Sequence, residues 1–158
     1  MSTESVRELE RNGFTGFASV ADLQRSGGAA PPQVPGVYVV LRSSPEDPSF
    51  LTASIGGWFK GRDPSVPSLT LRQKWVEGTP ILYVGRTGNL QRRIKQLVKF
   101  GEGSPVGHWG GRYLWQLSGS DALLIAWRPD PEFVRAEAAM LATFVVQHGR
   151  LPFANLRN

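Results

Sequence analysis

Two charged residues of this sequence stand where the surrounding pattern favours apolar side chains, and Glu137 is the clearer case. It lies in the middle of the apolar stripe of a predicted helix, between Phe133 and Leu141. A carboxylate inside a protein core is costly unless it is paired or bound to a metal ion. Glu137 therefore predicts either a buried ion pair with an arginine or a functional carboxylate, and the pattern leaves both open. Departures from patterning are expected at functional sites.

The second charged residue is Arg93, on a helix predicted over about residues 90–100. At about 100° per residue, Leu90 and Leu97 share the buried face, and Arg93 lies between them at its edge. An arginine at this position either extends to solvent along its aliphatic stem or reaches a fixed anion. The remaining cations of the helix are expected to point outward: Arg92, Lys95 and Lys99.

The segment that leads into this helix suggests which anion. A short apolar strand (81–85) turns through glycines into the basic helix, and Asn89 is placed to cap it. A strand that turns in this way into the start of a helix is a favourable site for a phosphate.

The positive charge of the chain is concentrated around the same segment. The 158 residues have a formal net charge of +5 and a pI near 10.1. Residues 57–112 hold ten lysines and arginines against three acids, a net of +7, whereas residues 1–56 have a net of −2. A charge of +5 alone serves solubility as readily as binding. Its position favours a phosphate-facing surface and a nucleic-acid partner.

The composition excludes several kinds of site. There is no cysteine, so disulfides, cysteine-ligated zinc and iron–sulfur clusters are excluded, and two histidines cannot alone form an ordinary structural zinc site. The polar N-terminus does not have the pattern of a signal peptide. The longest nearly apolar run, residues 138–146, is too short to span a bilayer. We therefore expect a soluble cytoplasmic protein with no membrane span.

The elements that must position these residues predict a mixed α/β (α+β) fold. Strands are predicted at 36–41, 81–85 and 122–127, with a short extended piece at 113–117. Helices are predicted at 4–12, at 14–25 with Ser19 as a cap, at 69–76, at 90–100, and from Asp130-Pro131 to Gly149. We expect an N-terminal helical extension (1–35), packed on a main domain (36–158) that carries a long insert (43–80). The tail is expected to pack back on the domain.

In their order along the chain, the motifs resemble those of the GIY-YIG nuclease superfamily. Gly36-Val37-Tyr38 matches the first motif and Tyr83-Val84-Gly85 the second. Arg93 follows Tyr83 by ten residues, as in the family pattern. Glu137 on a later helix and Asn155 in the tail complete the set, which covers most of the chain. Each motif is short and unspecific alone, and the ordered set is what carries the resemblance.

The resemblance implies a three-stranded, mainly antiparallel sheet flanked by helices, so that 36–158 would be the nuclease domain. It implies a metal-dependent endonuclease that hydrolyses phosphodiester bonds, usually of DNA. A single carboxylate leaves most of a coordination shell to water, which suits one Mg²⁺ or Mn²⁺ ion. The implied partner is nucleic acid, DNA in the first place. Specificity would come from the insert, a nearby loop, a protein partner or a homo-oligomer.

The resemblance also implies roles for single residues. Glu137 resembles the ligand of the metal ion, and Arg93 resembles the clamp on the scissile phosphate. Tyr83 resembles the proposed general base, with Tyr38 on the neighbouring strand as the alternative. Asn155 resembles a residue that helps to orient the site.

Further basic residues are expected to bind the substrate. Arg86 lies where some members of the superfamily have a lysine near the phosphate. Lys60 and Arg62 stand beside Trp58 and Phe59 in the insert. Basic and aromatic groups interleaved in this way either contact DNA or, in the case of the aromatics, form a small core of their own, and the two interpretations weigh equally.

The sequence departs from the family pattern at two places. Leu97 stands four residues after Arg93, where members often have histidine or tyrosine. His108, in the segment HWGGR that ends at Arg112, is either a substitute that acts at the site together with Arg112 or a surface histidine. The tyrosine motifs are also separated by 44 residues (39–82), where many members have a tight hairpin.

Two other functions remain open from the sequence. One is a catalytically silent nucleic-acid-binding module of the same fold, which would bind in a salt-dependent way without cutting. The other is a protein-interaction domain whose basic face is incidental.

Overall fold

The computed structural model describes residues 3–156, in which strands and helices are interleaved along the chain. The strands are β1 (Thr15–Ser19), β2 (Gly36–Leu41), β3 (Ile81–Thr87) and β4 (Leu124–Pro129). The α-helices are α1 (Thr3–Arg11), α2 (Val20–Arg25), α3 (Ser68–Lys74), α4 (Leu90–Gly101) and α5 (Phe133–His148). Two 3₁₀ helices occupy Trp109–Gln116 and Ser120–Ala122.

The four strands form one antiparallel sheet in the order β1-β4-β2-β3. Every residue of the inner strand β2 is buried. The mixed α/β class with an antiparallel sheet flanked by helices is therefore confirmed, but the sheet has four strands where the resemblance implied three.

The additional strand is β1, in a segment predicted to be helical, so the helix prediction for 14–19 is wrong. Gly16 and Phe17 have positive φ values of 93° and 51°, and the pairing with β4 shifts register between Gly16 and Ala18. A bulge of this kind interrupts the period of a strand. Ser19 is confirmed as a cap, since its side chain accepts a hydrogen bond from the Asp22 amide.

Two further boundaries differ from prediction. Residues 113–117, predicted to be extended, lie largely in a 3₁₀ helix. The last helix begins at Phe133 rather than at Asp130-Pro131, because the Asp130 carboxylate accepts the Glu132 amide at 2.8 Å and forms a turn before the helix. Its predicted end is confirmed at Gly149, whose φ of 77° is left-handed.

The two faces of the sheet are covered by different helices. Tyr38 and Val40 face the core that contains the buried residues of α4, whereas Val37 and Val39 face the core that contains Met140 of α5. This alternation is the period of two of a strand. Because β3 is an edge strand of the sheet, residues from both faces can reach the space beside it.

The tail packs back along that edge, as predicted. Ala154 donates its amide to the Leu82 carbonyl at 2.8 Å, and Phe153 is fully buried. Covering an edge strand in this way prevents it from pairing with another chain.

The insert is attached to the body of the domain through a buried glutamine that the sequence analysis did not identify. Gln116 donates to the carbonyls of Leu51 and Val66 and accepts the Val66 amide. Phe50 and Trp75 pack on Phe153, so these aromatics of the insert belong to the core.

Within residues 3–156, no helix combines the length and the apolar character needed to cross a bilayer.

Candidate functional site

A cavity of about 240 Å³ opens beside the edge strand β3. Its walls come from β2, β3, α4, α5, the segment at the start of the first 3₁₀ helix, and the tail. The lining residues are Tyr38, Tyr83, Arg86, Arg93, Gly110, Glu137, Asn155 and Leu156. All five residues predicted to be catalytic therefore lie around one cavity, together with Arg86.

The register of β2 against β3 explains how the two tyrosines meet. Tyr38 lies opposite Gly85, and Tyr83 lies opposite Val40. Both tyrosines belong to the core on the α4 side, with ring centroids 6.0 Å apart. Antiparallel pairing thus brings together residues that are 45 positions apart in sequence.

The glycines of both tyrosine motifs are required by close packing. A Cβ at Gly85 would lie 2.4 Å from Cζ of Tyr38, so the phenol ring lies across this glycine. A Cβ at Gly36 would lie 2.2 Å from the carbonyl oxygen of Arg128 on β4. These contacts explain why each motif has a glycine in its tyrosine-bearing strand.

His108 is linked directly to Tyr38. Its Nε2 lies 2.8 Å from the Tyr38 hydroxyl oxygen. The side chain has 0% exposure, so the surface-histidine interpretation is wrong. Full burial also contradicts the prediction that His108 contacts the substrate, and its link to the cavity runs through Tyr38.

His108 and Leu97 both lie beside one glycine, Gly111. Gly111 packs against both His108 and Leu97, since a Cβ on it would lie 3.0 Å from His108 Nδ1 and 3.6 Å from Leu97 Cδ1. The imidazole therefore reaches the tyrosines from the loop before the 3₁₀ helix and occupies space beside Leu97. The glycine at 111 makes room for it.

The environment keeps His108 neutral and Tyr38 protonated. Burial, followed by the positive charge of Arg93, lowers the pKa of His108 to about 3. Burial, followed by the neighbouring Tyr83, raises the pKa of Tyr38 well above its usual value, and Arg93 only partly opposes this. Both effects follow from the cost of a charge in a buried place.

A pH dependence of stability follows from the neutral imidazole. Below about pH 6.5 the unfolded chain binds a proton at His108 that the folded chain does not bind until about pH 3. Stability from this residue is therefore present above the unfolded pKa and is lost as the pH falls. Between pH 7 and 5 the free energy of unfolding should drop by about 2 kcal/mol through His108.

Urea denaturation at both pH values gives the change in the free energy of unfolding for the wild type and for His108→Gln. The difference between these two changes is the contribution of His108. His148→Gln removes the only other histidine and is the matched control. Equal pH dependence in the wild type and His108→Gln would contradict the neutral buried state.

Arg93 is held by uncharged acceptors. Its Nη1 donates to the Gly107 carbonyl at 2.5 Å and to Oε1 of Gln96 at 3.1 Å. No carboxylate lies within ion-pair distance of it among residues 3–156. Arg93 is half-buried at the cavity wall. Because no carboxylate of the described residues pairs with it, its positive charge is available to an anion in the cavity.

Glu137 is buried, with 6% exposure, and its Oε1 lies 3.6 Å from Nε of Arg86. The ion-pair interpretation of Glu137 therefore holds in this structure. Over the described part of the chain, no cluster of three or more acidic, histidine or cysteine side chains is suited to a metal. An ion at Glu137 would have this one carboxylate, which fits Mg²⁺ or Mn²⁺ because such ions retain several waters.

Asn155 fixes the edge strand through both polar atoms of its side-chain amide. Its Oδ1 accepts the Val84 amide at 3.0 Å, and its Nδ2 donates to the Val84 carbonyl at 2.9 Å. Val84 lies between Tyr83 and Gly85, so this pair of bonds sets the position of the motif. This arrangement accords with the predicted role of Asn155 in orienting the site.

Three of the predicted substrate-binding residues lie outside the cavity. Arg62 and Arg112 stack on Trp109, and Lys60 lies over the ring of Phe59 at 5.3 Å. Arg62 and Arg112 adjoin the cavity through Trp109, whose chain neighbour Gly110 lines it. Gly110 was not singled out from the sequence. A Cβ on Gly110 would lie 3.9 Å from the Tyr83 hydroxyl oxygen, so Gly110 lies next to that hydroxyl.

Comparison of the chain with protein-family models, with curated proteins and with solved structures gave no significant match.

Proposed function

We propose that this chain is a metal-dependent endonuclease of the GIY-YIG type, acting on phosphodiester bonds of DNA. One observation carries the proposal. A single cavity collects Tyr38, Tyr83, Arg93 and Glu137 from four separate elements. These are the residues that the motifs single out, and Glu137 and Arg93 are also the two that break the hydrophobic pattern.

The charges of the cavity suit a phosphodiester in the act of hydrolysis. Attack on phosphorus adds negative charge to the phosphate oxygens, and fixed cations stabilise that charge. Arg93 offers its remaining N–H groups, and Arg86 supplies a second positive charge on the same wall. A Mg²⁺ or Mn²⁺ ion bound by Glu137 would add further positive charge at the phosphate.

Burial distinguishes the two tyrosines. Tyr38 is 1% exposed, and deprotonating it would place a charge in the core. Tyr83 is 9% exposed and lines the cavity beside Gly110. We assign the general base to Tyr83, which shares the cavity with the cations of Arg93 and Arg86. Tyr38, which is hydrogen-bonded to His108, then packs against the ring of Tyr83 and holds it in place.

The silent binding module is the second candidate, and one observation favours it. Arg86 lies close enough to Glu137 to neutralise the carboxylate that a metal ion would use. If that ion pair persists when DNA binds, the cavity would hold a phosphate without hydrolysing it. A basic surface with salt-dependent affinity would then be the whole function.

Incubation of supercoiled plasmid with the protein separates these functions. The endonuclease should convert the plasmid to nicked or linear forms with Mg²⁺ or Mn²⁺ and should be inert in EDTA. Salt-dependent binding without any cutting would support the silent module and overturn the endonuclease. Absence of binding even at low salt would leave only a protein-interaction role. A cytoplasmic location belongs to the same proposal.

Arg86→Gln tests the competition between arginine and metal. Removing a positive charge 3.6 Å from Oε1 of Glu137 should strengthen Mn²⁺ binding on the order of tenfold. Titration of Mn²⁺ followed by electron paramagnetic resonance measures the affinity in the absence of DNA. Arg92→Gln removes an exposed charge from α4 and is the control. Unchanged or weaker Mn²⁺ binding in Arg86→Gln would argue against a metal at Glu137.

A further inference from the structure

Beside the cavity, two arginines share one indole ring. Cζ of Arg62 lies 4.7 Å from the ring centroid of Trp109, and Cζ of Arg112 lies 4.5 Å from it. Arg62 comes from the insert, and Arg112 belongs to the same 3₁₀ helix as Trp109. The contact therefore joins two segments that are far apart in sequence and places two like charges together.

These charges have no acidic partner among residues 3–156. The ion pairs found there involve Arg25, Arg86 and Arg128, and neither Arg62 nor Arg112. Asp63 adjoins Arg62, but its carboxylate accepts the Ser65 amide instead. Burial lowers the pKa of Arg112, the neighbouring Tyr113 opposes this, and the charge of Arg62 adds a smaller lowering.

The stacking also decides which part of a nucleic acid this cluster can recognise. An aromatic ring binds a base by offering it a free face, but the guanidinium groups already lie over Trp109, and the ring of Phe100 meets it edge-on at 6.5 Å. A stacked guanidinium keeps N–H groups in its plane, which match phosphate oxygens in a bidentate way. The arrangement suits a phosphate and not a base.

The cluster adjoins the cavity, because Trp109 directly precedes Gly110 in the chain and Gly110 lines the wall beside Tyr83. We propose that Arg62, Arg112 and Trp109 form a second phosphate clamp, which holds the nucleic-acid backbone next to the phosphate in the cavity. The path of the nucleic-acid strand from the cavity to the clamp rests on the proposed function. The clamp itself requires only that the chain bind nucleic acid. Because it reads no bases, the clamp gives affinity without sequence preference.

Salt dependence of binding tests the clamp. Fluorescence anisotropy in EDTA gives the dissociation constant for two short duplexes of unrelated sequence at about 50 to 200 mM salt. Arg62→Gln and Arg112→Gln should each weaken binding to both duplexes equally. Each should also reduce the slope of log affinity against log salt by about 1. Arg62→Lys should retain the slope, because the charge remains.

Arg11→Gln is the matched control, since Arg11 is exposed at the end of α1 and carries the same charge. Arg62 is also exposed, so Arg62→Gln is expected to fold. The slope separates the clamp from a merely structural link between insert and loop, which would lower stability and leave the slope unchanged.

The outcomes for the clamp and for the nuclease are distinguishable. If Arg62→Gln and Arg112→Gln both match Arg11→Gln in slope, the clamp is overturned even when the wild type cuts plasmid. If the slope falls as expected and no variant or wild type ever cuts, the clamp stands and the nuclease is overturned.

Discussion

Glu137→Gln should abolish metal-dependent cleavage of plasmid DNA, with a loss of about a thousandfold or more, comparable to removing a main electrostatic contribution to catalysis. The amide keeps the shape of the side chain but cannot hold a divalent ion as a carboxylate does. The fold should persist, because the change adds no volume at a position that is 6% exposed. The initial rate of nicking in Mg²⁺ and in Mn²⁺ measures the loss.

Glu77→Gln is the control for charge, since Glu77 is exposed and does not line the cavity. It should cut at the wild-type rate. Mn²⁺ binding by Glu137→Gln should be lost in parallel with the activity, and circular dichroism should be unchanged. Cleavage by Glu137→Gln at the wild-type rate would end the assignment of Glu137 as the metal ligand.

Gly85→Ala should damage both stability and activity although it adds one methyl group. The new Cβ would lie 2.4 Å from Cζ and 2.6 Å from the hydroxyl oxygen of Tyr38. Tyr38 is fully buried and hydrogen-bonded to His108, so its ring cannot move aside without breaking that hydrogen bond. Overpacking of this kind costs about 1 to 3 kcal/mol. Urea denaturation measures the cost, and plasmid nicking measures the accompanying fall in rate.

Gly88→Ala is the matched control, at the residue that directly follows β3. A Cβ there meets no heavy atom within 4 Å, and Gly88 is not among the glycines with positive φ. It should leave activity intact and change stability by less than about 1 kcal/mol, in the stabilising direction. If Gly85→Ala proves as harmless as Gly88→Ala, Tyr38 does not depend on the close packing described above.

The segment of residues 107–112 contacts several of the residues discussed above. The Gly107 carbonyl accepts Arg93, His108 bonds to Tyr38, and Gly110 lines the cavity. Trp109 and Arg112 extend the loop into the two-arginine cluster. One glycine-rich segment therefore touches both the cavity and the proposed clamp.

Much of this arrangement was determined by the sequence itself. Helical periodicity identified Glu137 within a buried stripe and Arg93 at the edge of one, and the structure places both at the cavity. Asn89 was identified as the cap of α4, and its side chain accepts the Arg92 amide. Such features depend on residues within one or two turns of each other, so their pattern is written in consecutive positions.

The remaining features were decided by tertiary structure alone. The strand β1 exists because it pairs with β4 across more than a hundred residues, and no local period announces that pairing. The hydrogen-bond partner of Tyr38 is His108, 70 residues away in the sequence. The sequence named Arg86 and Glu137 separately, and only the packing of α5 against β3 brought them within 3.6 Å. Contacts of this kind depend on which segments meet, which the spacing of residues along one segment does not encode.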